Sequence, residues 1–231
     1  MGRTLLWLRT QAELVAWQPR NADDQAVKAA IKLIAPADTM VGVSRLRRLV
    51  EHASLLVHER IQGSVVECGT WRGGSLALVA WAFRRLADPR PLWAFDSFEG
   101  VPAPGCLDPP SAHRGFSPCW CAAKPDDVEA AVRKLGGSAD ALSIVPGWLD
   151  RTLAEAKLRP IALLNVDVDW YDSVSVVLEH LFDQVSPGGI VNFDDYGRWS
   201  GCDLAVKDFL RSRSSSLVIH RTGRHGAWLR V

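Results

Sequence analysis

The sequence has almost no excess of charge: 27 Lys and Arg stand against 26 Asp and Glu in 231 residues, a formal net charge of +1. Non-specific nucleic-acid binding needs a basic field, so a small-molecule partner is expected and no nucleic acid. The chain also lacks a leader-like or membrane-spanning opening. Met1 to Leu8 carries one Arg and a few apolar residues, with no long apolar stretch and no small-residue cleavage site, which predicts a cytoplasmic protein with no membrane contact. A disulfide framework is missing too. Cys68, Cys106, Cys119, Cys121 and Cys202 are an odd number in a chain large enough to do without staples, so reduced thiols are expected. Cys119 and Cys121 are separated by one residue, with no second Cys or His pair nearby at the spacing of a tetrahedral zinc site. There is no internal repeat and no low-complexity tract.

What is present is enough apolar residue, 48%, for one substantial core. Residues 11–60 have helical spacing, with Leu46, Leu49, Val50, Ala53, Leu56 and Val57 on one face. They predict a helical extension over residues 1–62, ahead of a domain spanning 63–231. From Gly63 onward, β-rich runs at Ser64–Glu67, Leu92–Phe95, Ala141–Val145, Ile161–Val166 and Gly189–Phe193 alternate with helical segments at Ser75–Leu86, Asp126–Leu135, Ser173–Gln184 and Asp203–Arg211. Such alternation predicts an α/β, Rossmann-like fold: a mostly parallel sheet with helices on both faces. Leu217–Arg221 and Ala227–Val231 flank a turn-forming segment and predict a terminal antiparallel hairpin. The Pro- and Gly-rich stretch from Pro102 to Trp120 has no periodicity and reads as a long lid.

Val65 to Ser75 is an apolar strand, a glycine-bearing turn and a helix start, the place where doubly wound sheets bind ligands. A dinucleotide site needs a second glycine so that backbone can approach a pyrophosphate. That position is Trp71, and Glu67 just before the turn would repel phosphate. Both suit a cationic nucleoside cofactor such as S-adenosylmethionine. Leu92-Trp-Ala-Phe ends at Asp96, whose carboxylate can accept the ribose diol; the competing reading is a cap within Asp96-Ser-Phe-Glu-Gly100.

Ile161 to Asp169 and Gly189 to Asp195 are buried-type strands that deliver acids to one sheet edge. If they are neighbours, Asp167, Asp194 and Asp195 converge on one cation, and oxygen-only ligands favour Mg²⁺. Without a cation the three carboxylates would repel one another and titrate upward. The bland alternative makes some of these acids helix caps, with Asp169, Asp172 and Asp203 foremost.

Glu67-Cys-Gly-Thr-Trp-Arg-Gly-Gly74, Asp96-Ser-Phe-Glu-Gly-Val-Pro102, Pro146-Gly-Trp148, Asp167-Val-Asp-Trp-Tyr-Asp-Ser173 and the run Ser186 to Gly197 together resemble macrocin-type O-methyltransferases. That family methylates deoxysugar hydroxyls in macrolide and aminocoumarin antibiotic biosynthesis. The resemblance implies S-adenosylmethionine, Mg²⁺ and a homo-oligomer. Carried over by position, it places Glu67, Gly69, Trp71 and Arg72 at the methionine end of the cofactor, with Thr70 and Ser75 also among the cofactor-binding residues. Asp96 and Ser97 would meet the ribose, Trp148 the adenine, and Asp167 the reacting end. Thr39 and Met40 would touch the cofactor from the extension. Departures are Cys68 for an expected Thr, Val-Asp-Val-Asp for Leu-Asp-Gly-Asp, and a divergent lid after Pro102.

Methyl transfer needs an oxygen in line with the sulfonium methyl at about 3–3.5 Å, and a metal can orient and acidify a poorly nucleophilic hydroxyl. His113 in the lid is the first candidate for general base, with a solvated loop histidine as the competing reading; Asp167 is the second candidate. The sequence leaves three rivals: a metal-dependent methyltransferase of catechols or phenols, a non-catalytic nucleoside-binding homologue, and a dinucleotide oxidoreductase that Trp71 disfavours.

Overall fold

Runs that are apolar on both faces become strands covered on both faces. Ser64–Cys68 (β1) and Ile161–Val166 (β4) are buried at every position. The computed structural model describes residues 3–156, 158, 160–213 and 217–231; Met1 and Gly2, at the start of the expected extension, lie outside them. Leu92–Asp96 (β2), Leu142–Pro146 (β3) and Val185–Phe193 (β5) complete a parallel set. The sheet order is β3-β2-β1-β4-β5-β7-β6, where Ala227–Arg230 (β7) runs antiparallel to β5 and His220–Arg221 (β6) antiparallel to β7. The expected seven-stranded sheet with a terminal hairpin is thus observed. The order reverses between β1 and β4, and the carboxyl ends of strands at such a switch point frame a crevice.

One face of the sheet is covered by Ala22–Ile34 (α2), Val43–His58 (α3), Gly74–Arg85 (α4) and Pro125–Lys134 (α6). Arg3–Ala16 (α1) packs on α3. Tyr171–Leu181 (α8) and Ser200–Ser212 (α9) cover the other face. Among the described residues no helix is long and apolar enough to cross a membrane.

Three local expectations are corrected. The lid is not irregular throughout: Pro110–Gly115 (α5) is a short helix, started by a proline at a position whose N–H needs no partner, and six residues are too few to show a period. Neither Asp169 nor Asp172 caps α8. Its N-cap is Trp170, and the first amide, Tyr171 N–H, donates to Asp108 Oδ1 at 3.0 Å from sixty-odd residues away. Asp203 likewise accepts from Gly197 N–H in the preceding turn at 2.5 Å, while Trp199 is the N-cap of α9.

α3 buries a titratable group against the hairpin. His52 is 2% exposed, neither ring nitrogen has a hydrogen-bond partner among the described residues, and its ring meets Trp228 edge-on at 5.0 Å. Burial, with the Arg48 charge, pushes its pKa down to about 3. The unfolded chain therefore takes up a proton near pH 6.5 that the folded chain refuses, so this contribution to stability is lost as pH falls below 6.5. At roughly 1.4 kcal/mol per pH unit, the wild type should lose about 3 kcal/mol more than His52→Leu between neutrality and pH 4.5. Urea midpoints for both proteins across that range check it; parallel curves would refute it.

Candidate active site

The crevice opens where β1 turns into α4. Gly69 has φ of 84°, and a Cβ there would lie 1.8 Å from the Asp167 carbonyl oxygen. Only glycine lets the end of β1 pass the end of β4 so closely. Gly69 N–H donates to Phe95 O at 2.8 Å, and Thr70 Oγ1 donates to the same carbonyl at 3.3 Å. Trp71 follows in left-handed backbone, φ 48°, with its N–H on Asp96 Oδ2 at 2.7 Å. Gly74 N–H, at the start of α4, donates to the Asp38 carbonyl at 2.9 Å. The amide that a phosphate would seek at a helix N-terminus is thus already taken by the helical extension.

A cleft of about 380 Å³ lies over this turn, inside the range of roughly 300–1,000 Å³ usual for small ligands. Met40, Gly69, Trp71 and Asp96 line it, with Ser97, Trp148 and Asp167. Asp96 sits at the end of β2, each oxygen accepting one backbone N–H, from Trp71 and Phe98, and each keeping capacity for another donor. Burial raises its pKa against those hydrogen bonds. Trp148 precedes Leu149–Thr152 (α7), beyond the end of β3.

The other expected cofactor residues do not line the cleft. Thr39 is 4% exposed and accepts from Val41 N–H; Arg72 donates to the Ala37 carbonyl at 3.3 Å; Ser75 is buried in the first turn of α4. Glu67 is 1% exposed. Its Oε1 accepts from Asn165 Nδ2 at 2.5 Å, and Asn165 Oδ1 accepts from Asn192 Nδ2 at 2.6 Å, a polar ladder across register-matched positions of β1, β4 and β5. Glu67 Oε2 is buried with no hydrogen-bond partner among the described residues, and burial pushes the carboxyl up to about 7. His113 stays on the exposed surface of α5, its Nε2 3.1 Å from the Gly105 carbonyl, and does not line the cleft.

β4 and β5 are parallel neighbours, and their ends bring Asp167, Asp194 and Asp195 together: one ligand oxygen from each lies within 4.8 Å of the others. Burial first, then the charges of Asp194 and Asp195, raises Asp167 well above its ordinary range; burial first, then the charge of Asp169, raises Asp195 to about 7. Asp194 reaches about 6, held back by Arg45. The guanidinium of Arg45, from α3, donates to the Asp194 carbonyl at 2.8 Å and pairs with its Oδ2. Burial disfavours the Arg45 charge, but Asp194, Asp195 and Asp167 outweigh it and hold it above its ordinary value. Sequence reasoning missed Arg45, which reads as one polar position on an amphipathic helix. It also missed Asp150, Asp169, Asp172 and Cys121, which line the cleft; Asp150 stands two positions beyond Trp148, the nearest signal available.

Comparison with known proteins agrees with this geometry. The family described as macrocin-O-methyltransferase (TylF) matches residues 3–230. The 8-demethyl-8-(2,3-dimethoxy-alpha-L-rhamnosyl)-tetracenomycin-C 4'-O-methyltransferase of Streptomyces olivaceus is 34% identical over 181 residues, 75% of this chain and 67% of that protein. The demethyldecarbamoylnovobiocin O-methyltransferase of Streptomyces niveus is 32% identical over 181 residues, 76% of this chain and 68% of that protein. Among solved structures, the O-methyltransferase NovP superposes with a TM-score of 0.79 at 26% identity, covering 99% of each chain. A sheet with its crevice at the β1/β4 switch point, three converging carboxylates and these matches agree: the chain belongs to the macrocin-O-methyltransferase family and is an O-methyltransferase.

Proposed function

We propose that this protein transfers the methyl group of S-adenosylmethionine to a hydroxyl of a deoxysugar carried on a natural product, with Mg²⁺ held by Asp167, Asp194 and Asp195. The observation that carries this reading is the carboxylate trio at the ends of β4 and β5, whose member Asp167 lines the same cleft as Asp96. Three acid oxygens and no nitrogen or sulfur ligand suit a hard divalent cation. When bound, that ion supplies a Lewis acid that orients the acceptor oxygen and lowers its pKa. The sugar acceptor is supported by the relatives, whose names place methylation on a rhamnosyl-bearing tetracenomycin and on a novobiocin precursor.

Asp96 accepts the ribose diol and Trp148 packs on the adenine. The buried Glu67, whose Oε2 has no hydrogen-bond partner among the described residues, would favour the cofactor's cationic end from behind the turn formed by Gly69, Thr70 and Trp71. Ser75 supports Glu67, Ser97 braces the ribose loop by donating to the Gly100 carbonyl at 3.0 Å, and Arg72 ties the turn to the extension. Residues 1–62 act as an extension that completes the site of the 63–231 unit, since Asp38, Met40 and Arg45 all reach it. The proton leaves through Asp167, which lines the cleft, in preference to His113, which does not. The exposed apolar side chains Trp7, Leu8, Val15 and Leu33 on α1 and α2 support a homo-oligomer, and five unpaired thiols support a cytoplasmic location.

Exhaustive chelation should abolish methyl transfer, and added Mg²⁺ should restore it; turnover that survives chelation would exclude the metal. Assays with rhamnosylated aromatic acceptors and with simple catechols test the acceptor. Turnover of catechols alone would overturn the sugar reading.

A further inference from the structure

β4 and the buried half of β5, Ile190–Phe193, are apolar except for one amide each, Asn165 and Asn192. Both are buried, at 3% and 5% exposure. An amide in such a place costs free energy unless its donors and acceptors are paired. These two pair with each other and with Glu67, across 27 and 98 residues of sequence. An ionised carboxylate only accepts, so Asn165 must turn its NH₂ towards Glu67 Oε1. Its carbonyl then faces Asn192, which must turn its own NH₂ towards Asn165. The row therefore has one direction, set by the acid at its end. Glu67 stands two residues ahead of Gly69, which lines the cleft, and the donors on Ser75 and Asn165 favour its charged form against the burial that opposes it.

We propose that Asn165 and Asn192 are positioning residues for the cofactor: they hold the Glu67 carboxylate behind the glycine turn, so that its charge selects a ligand with a cationic amino-acid end. This rests on the S-adenosylmethionine reading given above. A row of amides that only fixed strand register would create no preference among ligands that share a nucleoside. One that orients a buried charge does, because a charge in a poorly solvated interior acts on its neighbours more strongly than it does in water. Asn165 touches Glu67 directly and Asn192 acts through Asn165, so their effects on that preference are graded.

S-adenosylhomocysteine and methylthioadenosine share the adenosine and the thioether, and only the first has the amino-acid end, so calorimetric dissociation constants for the two isolate that end. In Asn165→Leu, S-adenosylhomocysteine should bind about 10-fold more weakly, the lower end for losing a hydrogen bond to a charged group, with methylthioadenosine within about twofold of wild type. Asn192→Leu should weaken S-adenosylhomocysteine by about two- to threefold, since it acts through one more hydrogen bond. The double variant Asn165→Leu/Asn192→Leu leaves no orphaned amide, so it should melt above Asn165→Leu, yet bind S-adenosylhomocysteine no better. Recovery of that affinity along with the melting temperature, a parallel loss of both ligands, or an unchanged S-adenosylhomocysteine constant in the double variant would overturn the assignment while leaving the proposed function standing. Should Asn165→Leu fail to fold, Asn192→Leu and the double variant decide by the same two constants. A wild type that binds both ligands equally would overturn the cofactor role of Glu67 and this assignment with it, and is visible before any variant is made.

Discussion

Asp167→Ala should lower methyl transfer by about three orders of magnitude while S-adenosylhomocysteine still binds. A metal contributes several kcal/mol of charge stabilisation, and each 1.36 kcal/mol is roughly tenfold in rate. Asp167 is also the trio member that lines the cleft, so its loss removes both a ligand and the proposed proton acceptor. The cofactor keeps Asp96, Trp148 and Glu67, which stand on other strands or turns. Stability should move the other way. In the metal-free protein Asp167 is half-buried at the cleft and titrates well above its ordinary range, because burial and three neighbouring aspartates oppose its charge. Asp195 at about 7 and Asp194 at about 6 are raised likewise. Acids raised on folding bind protons that the unfolded chain releases, so the contribution of these three acids to the stability of the metal-free fold grows as pH falls from 7 towards 4, opposite in sign to that of His52, and protons compete with Mg²⁺ over the same interval. Removing Asp167 should flatten that dependence and abolish the rise in melting temperature that Mg²⁺ gives the wild type. Activity retained within tenfold, or an unchanged Mg²⁺-induced rise, would contradict the assignment.

Gly69→Ala should be the most damaging small substitution in the turn. The new Cβ would stand 1.8 Å from the Asp167 carbonyl oxygen at a φ of 84°. The obstacle is backbone, so no rotamer change relieves it, and either β1 or β4 must shift where both enter the site. Strain of this kind belongs among the large destabilisations, about 3–5 kcal/mol. In a chain of this size that is a melting-temperature drop of about 10 °C, with activity lost alongside. Gly115→Ala in α5, where nothing lies within 4 Å of the added carbon, is the matched control and should be silent. Equal melting temperatures for the two variants would remove the close approach of β1 and β4 from the explanation.

Much of this site could be read before folding because strands buried on both faces are nearly continuous apolar runs. Ile161–Val166 shows this with the same bounds in sequence and structure. Once two such runs are neighbours, the acids at their ends must converge, and Asp167, Asp194 and Asp195 do. The features that stayed hidden depend on register or on distance along the chain. The ladder from Glu67 through Asn165 to Asn192 exists only because three strands align at those positions. Asp169 reads as a cap because it stands just ahead of a helix, yet the folded protein gives that task to Asp108 and leaves Asp169 in the cleft. His113 illustrates the reverse: its lid placement is right in sequence, but α5 holds its ring against the Gly105 carbonyl outside the cleft.

Arg45 reaches across 149 residues to pair with Asp194, and this has a bearing on grafting experiments among relatives. An exchange of residues 1–62 between two members of the family would be undertaken to trade acceptor preference. If the incoming helix put no cation at the Arg45 position, the hybrid would also inherit a carboxylate trio without the guanidinium that pairs with Asp194, leaving Arg198 as the nearby cation. If the proposed Mg²⁺ site is right, such a hybrid would lean more heavily on its bound cation, and its response to divalent cation would change even though all three carboxylates had been left untouched.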